Sequence, residues 1–231
     1  VFNGVPVSTL YPLVMASPDI KWETVKQANI GFDATLLNQR IHVTFYAYIK
    51  NTTDMLVDMS VPITTGYSDI YVPRINAGEV KNTGWELTVS SQNLKGIVDW
   101  NTDFNRSYNK NKMQKLNDGV PKYFGSQAHV EGQPIGSFYG YVTNGLFQNW
   151  DEVNNYAYQK QAPGNAIGTA PGDIKFLDLD SNGIINDNDR TFIGNPTPEW
   201  TFSLNNSLTY KDFDLQIYLQ GVAGNDIYNQ N

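Results

Sequence analysis

The chain has 231 residues, no cysteine and a formal net charge of -7. These values exclude a disulfide framework, a thiolate metal site and a cysteine nucleophile. They also argue against a nucleic-acid partner, because phosphate binding needs a basic face. No run approaches the roughly 20 apolar residues of a membrane-spanning helix. The first residues lack the basic region of a signal peptide, so we expect a mature domain or an internal piece of a longer protein.

Six segments alternate apolar and polar residues with a period of two. This pattern predicts six strands, each with one apolar and one polar face. In the fourth strand the pattern is weaker, because Arg106 falls on the apolar face. In chain order the predicted strands are Ala28–Leu36, Ile41–Lys50, Gly84–Ser91, Trp100–Tyr108, Trp200–Tyr210 and Phe213–Gly221.

Short turns alternate with long links between these strands. The short turns are centred on Asn38, Lys95 and Lys211, and the long links are predicted near residues 51–78 and 110–198. Such asymmetry is typical of outer-membrane barrels, whose long loops are extracellular. The pattern therefore favours an all-β chain, whose six antiparallel strands belong to a transmembrane β-barrel; the resemblance described below implies that this barrel is large and that the strands are part of it. A soluble β-sandwich that buries the apolar faces stays open as the alternative.

The segment DLDSNGIINDND, which starts at residue 178, has the spacing of a twelve-residue calcium loop. Oxygen donors fall at positions 1, 3, 5, 7, 9 and 12, and Gly183 at position 6 allows the sharp turn. The residue at position 12 is Asp instead of the usual Glu, and its shorter side chain binds a Ca²⁺ through both oxygens only if the chain moves inward. The alternative is an Asx-rich turn without metal. The predicted ligands of a structural Ca²⁺ are Asp178, Asp180, Asn182, Ile184 (by its carbonyl), Asn186 and Asp189.

An aromatic-rich stretch precedes the calcium loop within the second long link. Three roles are open for it: packing of the loop, contact with a partner protein, and contact with a ligand, since Tyr and Trp are enriched at interfaces. The two histidines, His42 and His129, lie in different segments, and neither has a Ser or Asp at a sequence spacing that suggests a catalytic triad. No enzyme is therefore predicted. The aromatic candidates are Phe138, Tyr139, Tyr141, Phe147, Trp150, Tyr156 and Tyr158.

Five phrases, in order, resemble the SusC/RagA family of TonB-dependent outer-membrane transporters. They include EGQPIGSFYGYVTNGLF (Glu131–Phe147) and a phrase over Pro171–Asn229 that begins PGDIKFLDLDSNGIINDNDR. The remaining three cover Ser17–Val57, Ile75–Asn93 and Trp100–Leu116.

The resemblance implies that residues 1–231 form part of the C-terminal half of a TonB-dependent receptor β-barrel in the bacterial outer membrane. It implies import of glycans or peptides, with a SusD-like surface lipoprotein as partner and outer-membrane lipid around the strands. The TonB complex would act through regions absent from this chain. The alternative function is a secreted, calcium-stabilised β-sandwich that binds glycans.

Overall fold

The computed structural model describes residues 17–58, 74–116, 119–159 and 168–229. Within them the chain forms fourteen strands and one short helix, α1 (Trp150–Asn155). The first four strands are long: β1 (Thr24–Leu36), β2 (Ile41–Asp58), β3 (Arg74–Leu94) and β4 (Val98–Lys115). Eight short strands follow: β5 (Lys122–Phe124), β6 (Gln127–His129), β7 (Ser137–Tyr141), β8 (Thr143–Leu146), β9 (Tyr158–Gln159), β10 (Ile174–Phe176), β11 (Ile184–Ile185) and β12 (Arg190–Gly194). The last two are β13 (Trp200–Tyr210) and β14 (Phe213–Ala223).

The six long strands form one antiparallel sheet in the order β1-β2-β3-β4-β13-β14, here called the main sheet. All six predicted strands are confirmed, and so is the all-β barrel class. The three tight turns lie at one end of the main sheet, the turn end, and the long links leave from the opposite loop end. At the first turn Leu37, Asn38 and Gln39 have φ between 51° and 69°.

Several strands continue further toward the loop end than their alternation predicts. The predicted link near residues 51–78 is therefore shorter, because β2 runs on to Asp58 and β3 begins at Arg74. Backbone pairing continues through a bulge near Met55, although the side chains no longer alternate. Backbone hydrogen bonds between strands do not require alternating apolar side chains. The strands therefore stay paired beyond the segments in which the alternation predicts them. The rest of this link, residues 59–73, lies outside the described residues.

The two faces of the main sheet differ in chemistry as the alternation predicts. On the apolar face, aromatic rings contact one another across strands, with Phe32 5.8 Å from Phe45 and Trp85 5.7 Å from Trp200 between ring centroids. On the polar face, the Tyr46 hydroxyl donates to Glu86 Oε2 at 2.6 Å. No second sheet covers the apolar face among the described residues, and Ile30 is 77% exposed there. The sandwich alternative is therefore wrong.

The second long link, predicted as a long extracellular loop near residues 110–198, contains short strands and one helix. We call residues 119–159 and 168–199 the loop unit. It contains a four-stranded sheet in the order β12-β7-β6-β5 and two strand pairs, β10-β8 and β11-β9. Its buried apolar side chains are Ala128, Phe138, Phe147 and Ile185, and Ser137 and Asp189 are buried with them. Strands this short carry no readable periodicity, so local sequence does not reveal them.

The loop unit is docked on the loop end of the main sheet. Gly132 N donates to Met113 O at 2.8 Å, and Met113 N donates to Gln133 O at 2.8 Å. Beneath these bonds Val80, Met113 and Leu116 form a buried apolar cluster, against which Met55 and Ile135 pack. None of the helices in the described part of the chain is long and apolar enough to cross a membrane.

Candidate functional site

The predicted calcium loop brings three aspartates together. Asp178, Asp180 and Asp189 each offer one carboxylate oxygen, and these oxygens lie within 4.8 Å of one another. Two oxygens that each lie 2.3–2.6 Å from a shared Ca²⁺ are separated by at most about 5.2 Å. The three aspartates therefore fit the dimensions of a calcium site.

Backbone hydrogen bonds hold the first two aspartates. Gly183 N donates to Asp178 Oδ2 at 2.8 Å, and Asn182 N donates to Asp180 Oδ1 at 3.1 Å. Gly183 has φ of 83°, a value that glycine adopts at no steric cost. Asp178 also accepts from Asn182 N at 3.2 Å, and Asp180 also accepts from Asn182 Nδ2 at 2.8 Å. A carboxylate has about four lone-pair sites, so two such bonds leave room for a metal bond.

Asp189, the closing residue, reaches the centre of the loop. A single 3-10 turn, Asp187–Asp189, follows β11 and leaves the Asp189 side chain fully buried. Its Oδ2 accepts from Asn186 N at 2.8 Å, and its Oδ1 accepts from Leu179 N at 2.8 Å. The bond from Asn186 is the main cause that lowers the pKa of Asp189, with further bonds from Leu179 and Asp180, while burial opposes the shift. The carboxylate is therefore held in its charged form.

The other three predicted ligands make local hydrogen bonds. Asn182 Oδ1 accepts from Ile184 N at 2.8 Å, and Asn186 Oδ1 accepts from Asn188 N at 2.9 Å. The Ile184 carbonyl accepts from Asn186 Nδ2 at 3.2 Å. These are the bonds expected of an Asx-rich turn. The cluster thus supplies three carboxylates directly, and the two amide oxygens and the carbonyl, each with a second lone pair, could complete the ligand set.

The loop is anchored to the loop unit on one side. The Ile185 side chain is buried, and β11 pairs in parallel with β9, with Ile184 beside Tyr158. Tyr141 connects the loop to the aromatic stretch, since its hydroxyl donates to Asp187 Oδ1 at 3.4 Å. Burial, followed by the charge of Asp187, raises the pKa of Tyr141.

The seven predicted aromatic residues divide by exposure into five that are buried or half-buried and two that are exposed. Phe138 and Phe147 are buried, and the Phe147 ring meets the Tyr156 ring edge-on at 5.6 Å. Tyr139, Tyr141 and Tyr156 are half-buried and contact other rings. Trp150 and Tyr158 are 57% and 64% exposed. Five of the seven therefore pack the loop unit, and two face outward.

The polar face of the main sheet contains a groove that no motif singled out. Its volume is about 610 Å³, and its lining includes Glu86, Thr88, Asn105, Ser203, Tyr218 and Gln220. These side chains come from two hairpins, β3–β4 and β13–β14, that are far apart in sequence. Alternation predicts the face on which each one lies, but not the register that aligns them.

Comparison with known proteins identifies the fold. The family model described as TonB dependent receptor-like, beta-barrel matches residues 3–231. The chain belongs to this family. The resemblance to SusC/RagA transporters is thereby confirmed, and the TonB-dependent receptors among its relatives support a role other than catalysis.

Two relatives and one solved structure illustrate the match. TonB-dependent receptor P3 of Formosa agariphila is 37% identical over 93% of this chain and 22% of its own length. TonB-dependent receptor SusC of Bacteroides thetaiotaomicron is 25% identical over 91% of this chain and 20% of its own length. The structure of the RagAB peptide transporter has a TM-score of 0.72 at 20% identity, over 91% of this chain and 22% of that one. This TonB-dependent receptor chain thus spans about a fifth of the length of these relatives.

Proposed function

We propose that the chain is part of the wall and outer loops of a TonB-dependent importer of oligosaccharides or peptides in the bacterial outer membrane. The observation that carries the proposal is the main sheet, whose uncovered apolar face suits lipid and whose opposite face is polar. The loop end would face outward and the turn end the periplasm. The polar groove near Glu86 would line the import path, with hydrogen-bonding groups for a polar substrate. The TonB complex would act through regions beyond this chain.

Cell fractionation and uptake test this function in the full-length protein. We expect the protein in the outer-membrane fraction, extractable only with detergent, and we expect its deletion to abolish growth on one class of oligosaccharide or peptide. Recovery of the full-length protein in the soluble fraction would refute the proposal. Growth unchanged on every oligosaccharide and peptide supplied would refute the import role.

A SusD-like lipoprotein is the proposed partner of the loop unit. Trp150 and Tyr158 are the two candidate aromatics that packing leaves exposed, and exposed Trp and Tyr are frequent anchors of protein interfaces. Tyr158 pairs with Ile184, which is also exposed, so an aromatic and an aliphatic side chain lie side by side. We propose that these residues form part of the lipoprotein contact.

Co-purification tests this contact. Replacing both Trp150 and Tyr158 by Ala should reduce recovery of the lipoprotein with the tagged transporter by about tenfold or more, as expected for interface anchors. Tyr123→Ala is the matched control, since Tyr123 is also exposed but belongs to the four-stranded sheet. Equal recovery of the lipoprotein in both variants would exclude this surface.

We propose that Ca²⁺ binds at Asp178, Asp180 and Asp189 and stiffens the loop unit. Asp180→Asn should remove the protection from proteolysis that Ca²⁺ gives to the loop unit, with Mg²⁺ giving little protection in either protein. Asp151→Asn is the control, because Asp151 is an exposed acid of α1 in the same unit. Identical proteolysis of the unaltered protein in Ca²⁺ and in chelator would exclude the metal.

A further inference from the structure

Three lysines and one asparagine form a row across four adjacent strands on the apolar side of the main sheet, near its loop end. The register places Lys26 of β1 beside Asn51 of β2, Asn51 beside Lys81 of β3, and Lys81 beside Lys112 of β4. Directly paired residues share a face, and this face continues into Ala28, Ile49 and Trp85. With strands about 4.8 Å apart, the row is roughly 14 Å long.

Two further cations lie on the same face of β4, closer to the turn end. Lys110 is paired with Thr83, and Arg106 is paired with Leu87. The Arg106 guanidinium lies 4.4 Å from the Trp200 ring centroid and 5.9 Å from that of Trp85. We call Lys26, Lys81, Lys110, Lys112 and Arg106 the cationic patch.

The arrangement is electrostatically unfavourable without a counter-charge. Lys81 and Lys112 are directly opposed, and like charges in that position destabilise a sheet. The ion pairs seen among the described residues use other cations, such as Lys21 and Lys175. Asp33, Glu86 and Asp103 of the same strands pair in register with residues of the polar face, whereas Glu79, two residues from Lys81, pairs with Lys115. The side-chain oxygen of Asn51, inside the row, is buried and has no hydrogen-bond partner among the described residues.

The depth of the patch matches a lipid headgroup layer. Trp85, Tyr108 and Trp200 lie side by side in register, as the aromatic girdle of a membrane barrel does. Lys81 is four residues beyond Trp85, about 13 Å along the strand and about 10 Å in height for a tilted strand. Headgroup layers extend roughly 5–8 Å beyond the hydrocarbon on each side. Lysine and arginine stems can lie along apolar surface while their charges reach this layer.

We infer that the cationic patch binds the phosphate groups of lipid A, the phosphorylated glycolipid of the outer leaflet. The inference rests on the outer-membrane placement proposed above, with the loop end outward. The lysines supply point charges over about 14 Å across the sheet, perpendicular to the strands. Arg106 supplies a planar hydrogen-bond donor beside the aromatic girdle. Clusters of basic residues next to a membrane bind anionic headgroups, and each charge strengthens binding about fivefold.

Lipid retention by the detergent-purified, full-length transporter tests the inference. The variant replaces Lys26, Lys81 and Lys112 by Gln, and its affinity for added lipid A, measured by native mass spectrometry, should fall about a hundredfold. The matched control replaces Lys50, Lys95 and Lys211 by Gln. It removes the same charge from the polar face of β2 and from two turns of the turn end, and its affinity should stay unchanged.

A titration of the unaltered protein gives a second readout that does not depend on folding of the variant. Lipid A should bind, whereas dephosphorylated lipid A and phosphatidylglycerol should not displace it at equal concentration. Equal affinity of patch variant and control, or equal binding of dephosphorylated lipid A, would overturn the inference. Displacement by phosphatidylglycerol would overturn the assignment to lipid A. A transporter that sits in the outer membrane and imports substrate, but retains no lipid A, refutes only this inference and leaves the proposed function intact.

Discussion

The main sheet and the loop unit are built from the same kinds of residue but are stabilised in different ways. In the main sheet the large apolar side chains are exposed, as with Ile30 at 77% and Phe213 at 76%. In the loop unit Phe147 is 2% exposed, and Asp189 is buried with hydrogen bonds to both oxygens. The sheet therefore needs an apolar surrounding to cover one face, whereas the loop unit has a core of its own. Each of the following changes should affect one region and spare the other.

Removing the Phe147 ring should have the largest effect. Phe147→Ala would leave a cavity beside Tyr156 and destabilise the loop unit by about 3–5 kcal/mol, as buried Phe to Ala changes do. Limited proteolysis of the full-length protein should then cut the loop unit rapidly, while the barrel still resists heat on a gel. Phe213→Ala, on the apolar face of the sheet, should leave loop cleavage unchanged. Equal cleavage of both variants would mean that the two regions are not separate.

Asp189→Asn should weaken the loop unit by an intermediate amount that depends on pH. The amide would turn an NH₂ group toward Asn186 N or Leu179 N, where the carboxylate now accepts. Because the pKa of Asp189 is lowered on folding, its stabilisation is complete above the ordinary aspartate value and is lost as pH falls through the lower folded value. The difference between the variant and the parent in thermal unfolding of the loop unit should therefore begin to shrink below about pH 4 and shrink further as pH falls through the folded pKa of Asp189. A constant difference from neutral to strongly acid pH would contradict this role.

Gly84→Ala should disturb the main sheet by about 1–3 kcal/mol, as overpacking does. A Cβ at this position would lie 2.7 Å from the Tyr48 hydroxyl and would press on the Tyr108 carbonyl. The Tyr48 hydroxyl would then lose its 3.0 Å bond to Asn109. The unfolding temperature of the full-length barrel should fall, with loop proteolysis unaltered. Thr83→Ala, next to it in β3, is the control and should have little effect.

Tyr46→Phe should have the smallest effect, about 1 kcal/mol or less, because its bond to Glu86 is exposed. Tyr218→Phe, which removes a bond to the neutral Gln220, is the matched control. We expect the barrel of Tyr46→Phe to unfold slightly earlier than that of Tyr218→Phe, since bonds to a charged acceptor are stronger. The reverse order would show that solvent screening removes the advantage of the charge.

Prediction from sequence succeeded for features whose determining residues all lie within one short stretch of the chain. Alternation predicts all six strands of the main sheet, and the spacing around Gly183 predicts that Asp178 and Asp180 lie together. It failed for the loop unit, because strands of two to five residues such as β9 and β7 carry no period of their own. The prediction also ended the second strand at Lys50 and began the third at Gly84, whereas their pairing extends to Asp58 and Arg74.

By itself, the sequence determined the all-β class, the two faces of each long strand and the order of oxygen donors in the loop from Asp178 to Asp189. Each of these depends on neighbours along the chain, where the two-residue period of a strand or the length of a loop fixes which side chains meet. Only the tertiary structure decided that Asp189 is buried, that Trp150 and Tyr158 remain exposed, and that Lys81 stands opposite Lys112. Register between strands and the docking of the loop unit decide these contacts, and both depend on residues far apart in the chain.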